Sequence, residues 1–199
     1  EGAECGESVI GKSAVDSDLL QQRRIPFANP GSNETQQTFL RFINPNDTAT
    51  QVEMYGIDDD GISNRSGPIS FILEAQASLQ FTAQDMENGN TAKGLIGSFC
   101  DGAGKWQLIV RSDQSIEVMS LIRAPGGFLT SLNEVVPAAG DDRLVNFVNS
   151  ASEPDQQTFL RIVNRESTAG TVTISAIDDS GNAGASDITL TLAANDSQQ

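Results

Sequence analysis

A six-residue word occurs twice in this chain, and that recurrence constrains the fold more than any other feature. Gln36-Gln37-Thr38-Phe39-Leu40-Arg41 returns unchanged as Gln156-Gln157-Thr158-Phe159-Leu160-Arg161, an offset of 120 residues. The same offset aligns Phe27 with Phe147, Asn29 with Asn149, Asn44 with Asn164, Val52 with Val172, and Ile57-Asp58-Asp59 with Ile177-Asp178-Asp179. After a one-residue deletion in the next loop, Ile69, Leu73, Ala75, Ser78 and Gln80 match Ile188, Leu192, Ala194, Ser197 and Gln199. The expected organisation is an N-terminal arm at 1–22, a complete unit at 23–135, and the first half of a second unit at 136–199. Self-similarity at a fixed period marks an array, so function is sought first in assembly and display.

Nearly every ordered-looking stretch has strand character. Short β-rich runs such as Thr38–Ile43, Gln51–Ile57, Ile69–Leu73 and Ser78–Phe81 end in Asn, Asp, Gly, Pro or Ser clusters. Trp106, Leu108 and Val110 alternate with Gln107, Ile109 and Arg111, and Ile116–Ile122 follows the turn Ser112-Asp113-Gln114-Ser115 as an expected hairpin partner. About eight strands per unit point to an all-β class: tandem antiparallel Ig-like β-sandwich repeats, the second incomplete. Phe39, Val52, Leu73, Trp106, Leu108, Val118 and Ile122 are the expected core of the complete unit. The best helix signal is Thr82–Glu87, with Thr82 near the cap and Asn88-Gly89 as the stop. The glycine-rich stretch 88–105 reads as a long connection.

Charge narrows the functions. The formal net charge is −15, with 12 basic residues against 27 acidic ones. Nucleic acid and anionic lipid both call for a basic footprint, so neither is an expected partner. The absence of histidine removes His-based acid–base catalysis and His-ligated metal sites. No apolar run approaches the roughly 20 residues needed to span a bilayer, so membrane insertion is not expected. Cys5 and Cys100, the two cysteines, are the candidate disulfide of an extracellular chain. The start Glu1-Gly2-Ala3-Glu4-Cys5 resembles a mature terminus after processing.

The run Arg24–Asn33, then Phe39-Leu40-Arg41, Ile57-Asp58-Asp59-Asp60-Gly61, Asp85–Asn90, Gly102-Ala103-Gly104-Lys105-Trp106 and Phe128–Leu132 resembles a poorly characterised bacterial β-rich repeat. That repeat occurs in large secreted or cell-surface proteins, often in tandem. The resemblance implies location and architecture and carries no catalytic residues.

Candidate sites are few. Asp58, Asp59, Asp60, Asp178 and Asp179 are weak calcium candidates, because a hard cation takes several carboxylate oxygens at a turn. The DxDxDG spacing is absent, however, and Asp before Gly is also what a tight turn requires. No other cofactor is implied. Tyr55 falls in the opposite phase from Val52 and Met54 and is the candidate ligand contact, with a glycan as the ligand class. Trp106 lies in the apolar phase and reads as core. No nucleophile stands beside a base, so no enzymatic activity is expected. The expected function is a non-enzymatic extracellular structural repeat, at the bacterial cell surface or secreted, that forms or extends a fibre, stalk or adhesin. The alternative is a carbohydrate- or surface-binding module accessory to a secreted enzyme. The incomplete second unit is expected to self-associate through an open sheet edge, with Ser8, Val9 and Ile10 as the candidate donor strand.

Overall fold

The computed structural model describes residues 21–62, 67–100, 104–124, 126, 129–131, 145, 148, 159–178 and 180–199. The chain divides into two compact units, Glu1–Val136 and Pro137–Gln199. The described residues are mostly strand with one short α-helix, and all the strand pairs are antiparallel.

The described residues of the first unit form eight strands: β1 (Gln21–Ala28), β2 (Gln37–Ile43), β3 (Thr50–Ile57), β4 (Ile69–Leu73), β5 (Ser78–Thr82), β6 (Trp106–Ser112), β7 (Glu117–Arg123) and β8 (Leu129–Ser131). They form two four-stranded sheets, in the orders β1-β6-β3-β4 and β5-β2-β7-β8. The inner faces share one core. Ile25, Val52, Met54, Ile69, Phe71, Leu73, Trp106, Leu108 and Val110 come from the first sheet, and Leu40, Phe42 and Phe81 from the second. Phe42 meets Phe71 edge-on across the sheets at 5.0 Å and stacks on Phe81 at 5.2 Å. These are favoured aromatic geometries.

Three expectations need correction. Ile116–Ile122 does not form a hairpin with Trp106–Val110. β6 pairs with β1 and β3, whereas β7 pairs with β2 and β8 in the other sheet. The connection crosses between sheets because its residues are anchored to neighbours. Asp113 Oδ1 accepts from the Thr50 hydroxyl at 2.6 Å, and Ile116 is buried in the core. Phe39 is half-buried, not core, because β2 buries Thr38, Leu40 and Phe42. Val118 only packs against the rim of the core. Val52, Leu73, Trp106, Leu108 and Ile122 are buried as expected.

The helix α1 (Ala83–Asn88) begins where the sequence signal put it. Thr82 and Asp85 form a reciprocal capping box, which satisfies two backbone donors at the first turn. The stretch after it is more than a connection. A 3-10 turn at Thr91–Lys93 leads to Leu95 and Phe99, both fully buried. Phe99 packs on Trp106 with ring centroids 5.3 Å apart. Gly56 lies beneath them, where a Cβ would come within 2.9 Å of both rings.

The second unit contains β9 (Ile162–Val163), β10 (Gly170–Ile174), β11 (Ile188–Leu192) and β12 (Ser197–Gln198), paired as β10-β11 and β12-β9. Its pairing reproduces that of the first unit at the sequence offsets. Val52 faces Phe71 and Met54 faces Ile69; Val172 faces Leu190 and Ile174 faces Ile188.

Candidate functional site

The aspartate turns use their own carboxylates. Asp58 Oδ1 accepts from the amides of Asp60 at 3.2 Å and Ile62 at 2.9 Å. The Gly61 amide donates to the Asp58 carbonyl, with Gly61 at φ 76°. Asp59 Oδ2 turns the other way and accepts from the Lys105 amide at 2.8 Å, steering the chain into β6. Asp178 repeats the pattern, accepting from the amides of Ser180 and Asn182 and from the Asn182 side chain. Those bonds, led by the one from the Asn182 side chain, hold its pKa below the usual carboxylate value. The arrangement is that of a side-chain-stabilised turn. Among the described residues no group of three or more His, Cys, Asp or Glu side chains converges to hold a metal. Asp179 lies outside the described residues.

Tyr55 is on the outer face of the first sheet, half-buried. Its hydroxyl donates to Glu53 Oε2 at 3.0 Å, and the Arg111 guanidinium lies over the ring at 4.8 Å from its centroid. Burial and the Glu53 carboxylate together raise the phenol pKa. One face of the ring is therefore already covered by a cation, an interaction of a fraction of a kcal/mol up to about 2 kcal/mol.

The strongest polar constellation was not legible as a site. Glu87, on the buried side of α1, is 7 % exposed. Its Oε1 accepts from Trp106 Nε1 at 2.8 Å and its Oε2 from the Gly31 amide at 2.9 Å. One carboxylate thus ties the helix to β6 and to the β1–β2 loop. At Gly31 a Cβ would come within 2.5 Å of that carboxylate. Both oxygens face donors inside the fold, so the group serves packing rather than chemistry. The only sequence signal was an acidic residue two places from a helix stop.

Asp85 anchors the outer side of the same helix. Burial alone would raise its carboxyl pKa. Hydrogen bonds from the Lys93 ammonium at 2.6 Å, the Thr82 backbone amide at 2.8 Å, the Asn90 side-chain Nδ2 at 2.6 Å and the Thr82 hydroxyl at 3.0 Å outweigh it, bringing the pKa down to about 2. A carboxyl lowered in the folded state stabilises above its unfolded pKa, and that stabilisation is lost as pH falls through the folded value. Asp85→Asn is expected to lose about 1 kcal/mol at neutral pH, once solvent screening is allowed for. In urea titrations the gap between variant and parent should close between about pH 4 and pH 2.

In the second unit, Asn164 Nδ2 donates to the carbonyls of Thr168, Leu192 and Ala193, as Asn44 Nδ2 does to Thr48, Leu73 and Glu74. Arg161 reaches Ser197 as Arg41 reaches Ser78. The loop frame is equivalent but the cover is not. Leu40, Phe42, Val52, Met54, Ile69 and Phe71 are buried, while Leu160, Ile162, Val172, Ile174 and Leu190 are half-buried. Ile188 is 58 % exposed where Ile69 is 0 %. Leu192 is buried, and Phe159, at 66 % exposure, follows the outer phase of Phe39.

Cys100 is buried with φ 60°, and its amide donates to the Glu87 carbonyl. Cys5 and the arm residues Ser8, Val9 and Ile10 lie outside the described residues. No described helix is long and apolar enough to cross a membrane.

Comparison with known proteins adds little. No family model matches the chain, and no curated protein does. Among solved structures, the Anabaena sensory rhodopsin transducer aligns over 50 % of this chain and 84 % of its own, at 16 % identity and a TM-score of 0.34. That likeness is too low to carry an argument.

Proposed function

We propose that this chain is a non-enzymatic structural repeat of a secreted or bacterial cell-surface protein, built from Ig-like β-sandwich units. It forms or extends a fibre, stalk or adhesin by strand complementation between subunits. The observation that carries this reading is the second unit, which repeats the pairing register of the first while leaving Ile188 exposed and Val172, Ile174 and Leu190 only half-buried. An uncovered apolar face beside an unpaired strand edge favours association. The Ig-like description is supported by β2 pairing β5 while β4-β3-β6 line the other sheet, the places of B–E and C′-C-F in that fold. β1 takes the G place beside β6. The bridge between Cys5 and Cys100, and an arm strand at Ser8-Val9-Ile10 acting as donor, belong to the same proposal.

Negative-stain imaging and sedimentation of the purified chain over a range of concentrations test it. Self-association that increases with concentration is expected; a monomer at every concentration would sink the reading. The carbohydrate-binding alternative rests on Tyr55 beneath Arg111 on an outer sheet face. A glycan array that returns binding abolished by Tyr55→Ala would favour it instead.

A further inference from the structure

The first unit carries an approximate two-fold relation that its connectivity hides. In one sheet the order is β4-β3-β6-β1 and in the other β5-β2-β7-β8, every neighbour antiparallel. A rotation by half a turn about an axis normal to the sheets, passing between β3 and β6 and between β2 and β7, reverses strand direction. It exchanges β3 with β6, β4 with β1, β2 with β7 and β5 with β8, with every direction matched. The four strands β2 to β5 are thus one half of a pseudo-symmetric pair. Among the described residues, the strands of the second unit are counterparts of that half: β9, β10, β11 and β12 stand for β2, β3, β4 and β5.

We infer that a second copy of this chain covers the open face of the second unit through a two-fold interface. β10 pairs antiparallel with β10 of the other copy, and β9 with its own equivalent. The sheets then read β11-β10-β10-β11 and β12-β9-β9-β12, restoring the two four-stranded sheets of the first unit. The surfaces that meet are the same on both copies, as an isologous interface requires. The inner residues Val172, Ile174, Ile188 and Leu190 are half-buried or exposed in one copy and occupy the places of Val52, Met54, Ile69 and Phe71, all buried in the first unit. A pair of two-stranded ribbons is marginal by itself, and doubling each to four strands supplies the missing partner. A single three-residue donor such as Ser8-Val9-Ile10 would meet one sheet only. The inference rests on the proposed function, in that both need an accepting second unit, but it names the partner and the symmetry.

Analytical ultracentrifugation of the full chain, with hydrogen exchange at matched concentrations, separates the outcomes. A closed dimer is expected, with the amides of Gly170–Ile174 gaining protection as dimer forms while those of Thr50–Ile57 stay constant. Val172→Asp should weaken the dimer by about 100-fold or more, since it buries an unpaired charge at the interface. The exchange profile of the unmodified chain serves as the second measurement should that variant disturb its own unit. Open-ended growth overturns the two-fold inference and leaves the fibre reading standing. A dimer that persists in Val172→Asp, or whose formation leaves β10 unprotected, also overturns the inference alone. A chain that stays monomeric throughout overturns both.

Discussion

Trp106→Ala is expected to destabilise the first unit by about 3–5 kcal/mol, the range for emptying a large aromatic site in a packed core. The ring is 2 % exposed, packs on Phe99, and lies against the backbone at Gly56. Two losses add together. The cavity cannot collapse easily, because Phe99 is held by the hydrogen bond its backbone amide donates to the Met86 carbonyl. Removing the indole also deprives Glu87 Oε1 of the donor shown for it. Thermal unfolding followed by circular dichroism should fall by on the order of 10–20 °C. A shift of only a degree or two would mean that the ring is not packed as described.

The second large effect is expected at Glu87. Glu87→Gln keeps the shape but leaves one oxygen and one amino group, while both positions face donors: Trp106 Nε1 and the Gly31 amide. One donor must then oppose another. The loss should be about 2–3 kcal/mol, the range for a buried hydrogen bond to a charged group left unmade. Because the chain has a single tryptophan, its fluorescence reports this contact directly, and a changed emission should accompany the lower urea midpoint. Equal stability in the two proteins would show that the carboxylate is not what joins the helix to β6 and the β1–β2 loop.

Much of the fold was legible because it depends on local pattern. The alternation of Trp106, Leu108 and Val110 marked a strand with one buried face, and Thr82 near the cap with Asn88-Gly89 as the stop marked α1. The reading failed where two solutions share one pattern. Phe39 and Leu40 are adjacent and both apolar, so the phase of β2 was open until its partners set the register; a one-residue shift exchanges the faces of a strand. Likewise, two strands joined by a four-residue turn form a hairpin in most settings. Here Asp113, held by Thr50, sends the second strand into the opposite sheet. The glycine-rich stretch looked like a linker because the two residues that matter, Leu95 and Phe99, have no periodic neighbours.

The candidate sites divide in the same way. That Asp58 and Asp178 sit at turns followed from their place before glycine, whereas the direction of each carboxylate, toward amides of its own loop, is a tertiary fact. Tyr55 was placed on an outer phase by alternation alone, but only the neighbouring strand brings Arg111 over its ring.

By itself the sequence determined that the chain is all-β, that a segment recurs at an offset of 120 residues, and that no histidine-based chemistry is available. These follow from residue identity and period, which need no knowledge of what lies across a sheet. Tertiary structure alone decided which sheet each strand joins, that Glu87 is a buried tie, and that Ile188 is exposed where Ile69 is covered. The reason is physical: pairing register and burial are set by partners distant in the chain, and Ile69 and Ile188 differ in their cover, not in kind.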